Sequence, residues 1–240
     1  MTDVKLQASS SRSARLTHAT AIVVGGGVVG LSCAIELQRR GIVTVLVEPD
    51  ARPHGASWGN AGHIAVEQVE PLASLATLKS VPRRLFWRGG AVSLPWRDWA
   101  TWAAFGRVLA LAALPRRFAA GKQALAALLA GAVPAWRRLL EHAGAPDLLR
   151  IDGHYVVWEA PAAAAAGAAR WRAADTGTAT VRDASPAELA QLAALCTAPV
   201  AGAIRIEGSG QIDDLGRLGE ALAACFQALG GDRRLARAEA

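Results

Sequence analysis

Between Ala21 and Asp50 the chain runs AIVVGGGVVGLSCAIELQRRGIVTVLVEPD, and this stretch constrains the fold more than any other. Ala21 to Val24 is a short apolar run with the length and β-branching of a buried parallel strand, and it stops at Gly25-Gly26-Gly27. From Val28 the spacing becomes helical. Val29, Cys33, Ala34 and Leu37 fall on one face, Arg39 and Arg40 occupy the last turn, and Gly41 is the stop. A second strand, Ile42 to Val47, ends at Glu48. Strand, tight turn, helix and strand make a right-handed βαβ unit, so the chain is expected to be α/β with a Rossmann-like core.

The chemistry of the turn follows from its residue types. Gly25, Gly27 and Gly30 form G-x-G-x-x-G. Gly25 permits the turn, Gly27 lets the backbone approach a pyrophosphate, and Gly30 lets the helix pack closely on the strand. The helix N-terminus at Val28 and Val29 presents unpaired N–H groups and about half a positive charge, which suits a diphosphate. Glu48 ends the second strand eighteen residues after Gly30, where a carboxylate accepts hydrogen bonds from ribose hydroxyls and repels a 2′-phosphate. The glycines could merely punctuate a strand and a helix. With strand, helix and acid all in place, dinucleotide binding is the better reading.

The rest of the composition describes a soluble globular protein. Its 240 residues are 52% hydrophobic and 19% charged, enough for one large domain or two small ones. The net charge of +6 comes almost wholly from arginine, because Lys5, Lys79 and Lys122 are the only lysines. These arginines stand in ones and twos through Ala-rich helices, which favours a solvated surface over a nucleic-acid footprint, so no nucleic-acid partner is expected. Residues 1–19 are polar and lack the apolar core of a secretory signal, and are expected to be a flexible tail. Cys33, Cys196 and Cys225 show no C-x-x-C spacing, and His18, His54, His63, His142 and His154 show no ligand spacing. No metal is expected, and a reducing cytoplasm fits.

After Asp50 comes ARPHGASWGNAGHI, a loop punctuated by Pro53, Gly55, Gly59 and Gly62. The fingerprint, Glu48, Arg52, Ala56-Ser57 and Gly59-Asn60-Ala61-Gly62 together resemble the flavoprotein family of D-amino-acid oxidases and dehydrogenases, most of all the bacterial D-amino-acid dehydrogenase type. The resemblance implies FAD as cofactor and an amino acid as small-molecule substrate. It places Arg52 and Ser57 near the phosphates and ribose, and Asn60, Ala61, Gly62 and His63 beside the flavin ring. Read without the resemblance, Ser57 and Asn60 are loop caps and His63 a simple loop histidine.

Further on, residues 67–200 are expected to form part of an α+β substrate domain, with 20–66 as the first part of the FAD-binding domain and 201–240 as a truncated segment returning to it. LFWRGGAVSLPW reads as a loop and short strand. Trp99 to Leu114 is an apolar helical run too short to span a bilayer. Its Trp and Leu stripe favours a core helix, with a helix lying in a membrane interface on Trp96, Trp99 and Trp102 as the alternative. An Ala-Leu helix from Ala119 to Ala143 should bury Leu125, Leu128, Leu129, Trp136, Leu139 and Leu140. Leu149–Asp152 and His154–Glu159 flank Gly153 like a hairpin. Ser185-Pro186-Ala187-Glu188 starts a helix, Gly202–Glu207 is a strand, and Asp213 or Asp214 caps a last helix.

The resemblance covers nearly all of residues 20–231, yet the further flavin contact and substrate-domain strands that follow in the family have no counterpart here. The expectation is therefore a fold truncated at its C-terminus, with the family's carboxylate-binding arginine outside it. No catalytic residue is assignable, since nothing singles out Arg150, Arg205 or His154. A second polypeptide could supply the remainder, an inactive remnant or a stand-alone NAD module are the alternatives, and the Trp-rich helix hints at a peripheral contact with a membrane or quinone at the inner membrane.

Overall fold

The computed structural model describes residues 5–7, 21–51 and 55–239. The chain divides into two compact units. The first is made of residues 1–64, 133–152 and 210–240, and the second of 65–132 and 153–209. This division differs from the sequence boundaries in two places: 133–152 joins the first unit, and strand 202–207 joins the second.

Two units arise because the hydrophobic pattern changes kind. In the first, strands β2 (Ala21–Val24) and β3 (Thr44–Glu48) enclose helix α1 (Val28–Arg39). Strand β10 (Asp232–Leu235) pairs parallel with β3, giving the order β10-β3-β2, with Val45 opposite both Ile22 and Asp232. Thr44, Val45, Leu46 and Val47 are all buried, as a central parallel strand covered on both faces requires. Helix α8 (Leu215–Ala228) packs against α1, burying Leu218, Leu222 and Phe226 beside Leu31, Ala34 and Ile35. Each such side chain contributes about 1.5–3 kcal/mol when fully buried. Gln38 fastens the layers, accepting from the Thr44 N–H and donating to the Leu229 carbonyl, both at 2.9 Å.

Smaller sheets complete this unit. Strand β4 (His63–Ile64) and β5 (Leu149–Arg150) flank β9 (Gly210–Ile212) antiparallel, and β1 (Lys5–Gln7) pairs antiparallel with β11 (Arg237–Glu239). Three residues of the expected flexible tail thus form a strand, because the main chain of β11 offers an open ladder. Helix α5 (Ala132–His142) follows a break at Gly131 and buries Leu140.

The second unit is organised on an antiparallel sheet, β6 (His154–Trp158), β8 (Gly202–Glu207) and β7 (Thr180–Asp183), in the order β6-β8-β7. Helix α6 (Pro161–Ala173) lies against it so closely that a Cβ on Gly167 would come within 2.4 Å of the Trp158 ring. Helix α7 (Pro186–Leu195) begins with the expected capping box between Ser185 and Glu188. Helices α2 (Leu75–Ser80), α3 (Trp99–Ala112) and α4 (Pro115–Ala130) fill the 65–132 segment.

Several expectations are corrected. Leu149–Arg150 and His154–Trp158 are not a hairpin: the first pairs with β9 and the second with β8, in different units, and Gly153 (φ +72°) marks the crossing. The run from Ala119 to Ala143 is two helices, and of its expected buried face only Leu140 is buried, while Leu128 is 74% exposed. Helix α3 buries no residue fully, against the core-helix reading: Trp102 and Leu109 are half-buried, while Trp99, Phe105, Val108 and Leu111 are exposed. The segment after Leu85 gives an isolated bridge, Leu85 to Val92, in place of a short strand.

Candidate cofactor site

Strand β2 delivers the chain to the glycine turn, where Gly25 takes φ +102° and donates to the Val47 carbonyl at 2.8 Å. Gly27 is the extended N-cap of α1. A Cβ on Gly30 would lie 1.9 Å from the Gly25 carbonyl oxygen, so only glycine lets the first turn of α1 abut the loop. A Cβ on Gly27 would stand 3.0 Å from the Ser57 Oγ, which keeps that side of the loop open to the approaching main chain.

The N–H groups of this turn are partly satisfied by the residues singled out from the sequence. Gly26 donates to Glu48 Oε2 at 2.5 Å, and Val28 donates to Ser57 Oγ at 3.3 Å. Among the described residues, the N–H groups of Gly27, Val29 and Gly30 meet no protein acceptor. The first turn of α1 carries no acidic side chain. Three open donors at a helix N-terminus are what a diphosphate requires. The Val28 and Val29 side chains line a separate open groove against Trp136 and Leu139 of α5, so they can serve a cofactor through their N–H groups alone.

Glu48 closes the other side. Its Oε1 accepts from Asp50 N–H at 3.1 Å and its Oε2 from Gly26, which leaves one lone pair on each oxygen for ribose hydroxyls. Behind it a cavity of about 270 Å³ runs between α1, β3 and α8, walled by Leu31, Leu46, Gly219 and Ala223. That volume sits just below the range of about 300–1,000 Å³ usual for small-molecule sites, and the small residues of α8 make it fit a flat base. Arg233 of β10 fastens the rim by donating to the Asp50 and Ala51 carbonyls at 2.9 and 3.1 Å. The residues present therefore fit the adenosine diphosphate end of a dinucleotide.

The loop that follows is self-bonded. Asn60 donates to the Ala56 and Ser57 carbonyls and accepts from Gly62 N–H at 2.7 Å. Gly62 takes φ +67°, and a Cβ there would strike the Ile212 carbonyl at 2.6 Å. Gln211 donates to the Ala61 carbonyl, and His63, in β4, pairs with Gln211 in the ladder. Asn60 is thus a loop cap that shapes the Asn60-Ala61-Gly62 turn. Arg52 and His54 lie outside the described residues.

The three residues with catalytic chemistry are all engaged. Arg150 pairs with Asp213 at 2.6 Å, and His154 Nδ1 lies 3.0 Å from Ser209 Oγ. Arg205 belongs to a network in the second unit. Arg182 donates to both oxygens of Glu188, joined by Tyr155 at 2.7 Å and Arg205 at 2.9 Å. Arg182 above all, then Tyr155, the Ser185 N–H and Arg205, hold the Glu188 carboxyl far below the ordinary carboxylate range. The bond to Glu188 in turn pushes the Tyr155 phenol up. Neither Arg205 nor Arg182 is left to bind a substrate carboxylate. Sequence reading missed Arg233 and the α8 wall, which lie far along the chain from Glu48 and carry no local signal.

A βαβ cradle with open N–H donors at its helix N-terminus and a carboxylate at the end of its second strand defines the class as a dinucleotide-binding fold. Residues 20–238 match the family described as FAD dependent oxidoreductase, and the chain belongs to that family. It is 40% identical over 52 residues to D-amino acid dehydrogenase of Helicobacter pylori (strain ATCC 700392 / 26695), covering 22% of this chain and 13% of the relative. It is 31% identical over 140 residues to D-amino-acid oxidase of Bradyrhizobium diazoefficiens, covering 55% and 32%. Among solved structures, iminodiacetate oxidase from Chelativorans sp. BNC1 shares the fold with TM-score 0.51 and 19% identity, over 89% of this chain and 46% of that one. Glycine oxidase from Geobacillus kaustophilus gives TM-score 0.51 and 19% identity, over 89% and 45%. The chain spans less than half the length of each.

Proposed function

We propose that the chain forms the adenosine-diphosphate-binding part of an FAD-dependent oxidoreductase that converts a D-amino acid, or a similar amine, to the 2-oxo acid and ammonia. The open donors of Gly27, Val29 and Gly30, set beside the Glu48 carboxylate, carry this reading. The substrate loses the Cα hydrogen as hydride and a proton from its nitrogen, and water then hydrolyses the imino acid. FAD, when bound, supplies the hydride acceptor and passes the electrons on.

This chain's own residues bind and orient. The α1 N-terminus compensates the diphosphate charge, Glu48 selects an unphosphorylated ribose, and the Asn60-Ala61-Gly62 turn sets the path towards the ring end. The relatives named D-amino acid dehydrogenase and D-amino-acid oxidase support the substrate class. Because Arg150, Arg182 and Arg205 are all held by acidic partners, the substrate carboxylate contact falls to residues other than these three. Three free cysteines suit a cytoplasmic location.

The test is titration of the purified chain with FAD and with NAD, followed by anaerobic mixing with D-alanine, L-alanine and an artificial electron acceptor. Weak binding of FAD in preference to NAD, without turnover, is expected. Tight stoichiometric flavin with D-alanine oxidation would refute the incomplete pocket, and preference for NAD would refute the flavin reading.

A further inference from the structure

The 71–132 segment of the second unit has a surface unlike the rest of the chain. It holds nine lysines and arginines against one acid, Asp98, a net +8 where the whole chain is +6. Eight of the nine are exposed, and among the described residues none of those eight makes an ion pair. Large apolar side chains stand in water beside them. Trp96 is 81% exposed, Trp87 71%, and Phe105 63%, with Phe86 and Trp99 also exposed. Phe105, Val108 and Leu111 recur at three-residue spacing, which puts them on one face of α3, and all three face solvent.

Single exposed hydrophobic residues need no explanation, but five exposed aromatic side chains within twenty residues of chain, interspersed with unpaired cations, mark an interaction surface. Its chemistry selects the occupant. Tryptophans and arginines flanking an apolar helical face match the headgroup level of a bilayer, where the rings bury their apolar bodies and guanidinium groups meet lipid phosphates. A nucleic acid would use the cations but would leave the Phe105–Leu111 face in water. We propose that the surface between Phe86 and Arg117 docks on an anionic lipid bilayer, with α3 lying in its interface.

The helical stretch Pro115–His142 is long and apolar enough, by length and composition, to cross a membrane. Its first helix is instead fastened to the second unit. Lys122 pairs with Asp175 at 3.0 Å and reaches Glu70 at 3.7 Å, and Gly121 sits against Pro71. Pulling Lys122 into hydrocarbon would break those pairs, so the docked surface lies on the bilayer and does not span it.

Cosedimentation of the purified chain with vesicles tests this, using phosphatidylcholine alone and an equal mixture of phosphatidylcholine and phosphatidylglycerol. The mixed vesicles should carry the chain down, added salt should release it, and tryptophan emission should shift to the blue. Each exposed cation contributes about fivefold to binding an anionic surface, so R83Q/R84Q/R88Q should weaken partitioning on the order of a hundredfold. F105S/V108S should abolish the emission shift. Because these side chains are exposed, hydrogen exchange in β8 should match the parent in both variants, which separates lost docking from lost folding. Failure to sediment, equal binding by parent and variants, or survival of an alkaline carbonate wash would each overturn the proposal. So would tighter binding to single-stranded DNA than to vesicles, or a dimer that both variants dissociate and that binds no lipid. Neither flavin nor substrate is present, so the outcome is independent of the catalytic reading.

Discussion

The contact between Gly30 and Gly25 makes the cradle testable without any ligand. In Gly30→Ala the new Cβ would stand 1.9 Å from a carbonyl oxygen, where real contacts of this kind stay beyond about 3.0 Å, so the main chain must yield by about 1.1 Å. No rotamer change relieves it, because the obstacle is backbone. Overpacking of this kind costs about 1–3 kcal/mol, here at the upper end. Alanine recovers about 1 kcal/mol of helix propensity, leaving a loss of about 2 kcal/mol. With a urea slope of about 1–3 kcal/mol/M, the midpoint of the first unit should fall by about 1 M. Gly106 in α3 is the control, since a Cβ there meets nothing within 4 Å and Gly106→Ala should stabilise by about 0.8–1 kcal/mol. Urea titration read by hydrogen exchange on peptides covering 21–48 and 99–112 separates the two units. An unchanged midpoint in the first unit for Gly30→Ala, or a loss for Gly106→Ala, would refute the close-approach reasoning.

Other outcomes follow from single contacts. Phe226→Ala, which empties a fully buried site between α8 and Gly231, should cost about 3–5 kcal/mol in urea unfolding. Ser185→Ala removes the cap of α7 and should cost about 1 kcal/mol by the same measurement. Glu48→Ala should weaken whatever affinity the chain has for ADP by about tenfold in calorimetric titration, since a charge-assisted hydrogen bond is worth about 1.5–3 kcal/mol; undiminished affinity would remove Glu48 from the site. The carboxyl of Glu188 is depressed, by Arg182 first. Its contribution is therefore complete above its ordinary value of 4.5 and is lost as pH falls below that towards the folded value. Glu188→Gln should flatten the acid limb of stability against pH between about pH 4.5 and 2, and parallel limbs would contradict the network.

What could be read in advance was local. Gly25 to Glu48 announces strand, turn, helix and acid within one short run, and Ser185 to Glu188 announces its cap, because each depends on neighbours a few residues apart. Arg233 on the rim and Gln38 holding Leu229 depend on partners more than 180 residues away, for which no periodicity exists. The helical stripe of α3 was legible as a stripe but not as an exposed one, since periodicity reports which residues share a face and not what covers it. Gly153 looked like a hairpin turn because two short strands flank it, and only the pairing of each with a distant strand shows that it is a crossing between units.

The parallel sheet closes only when β10 arrives. Asp232 lies opposite Val45, 187 residues earlier in the chain, and both units are assembled from separated segments. At synthesis rates of about 5–20 residues per second, β3 waits on the order of 10 to 40 s for its second neighbour. During that interval the unpaired N–H and C=O groups of its open edge are available to other nascent chains, and α1 lacks the surface of α8 that buries it. Closure of the cradle therefore waits until residues 232–235 have been made, a long-range pairing of the kind that slows folding, and a chaperone that shields residues 42–48 would act on the step most exposed to misassembly.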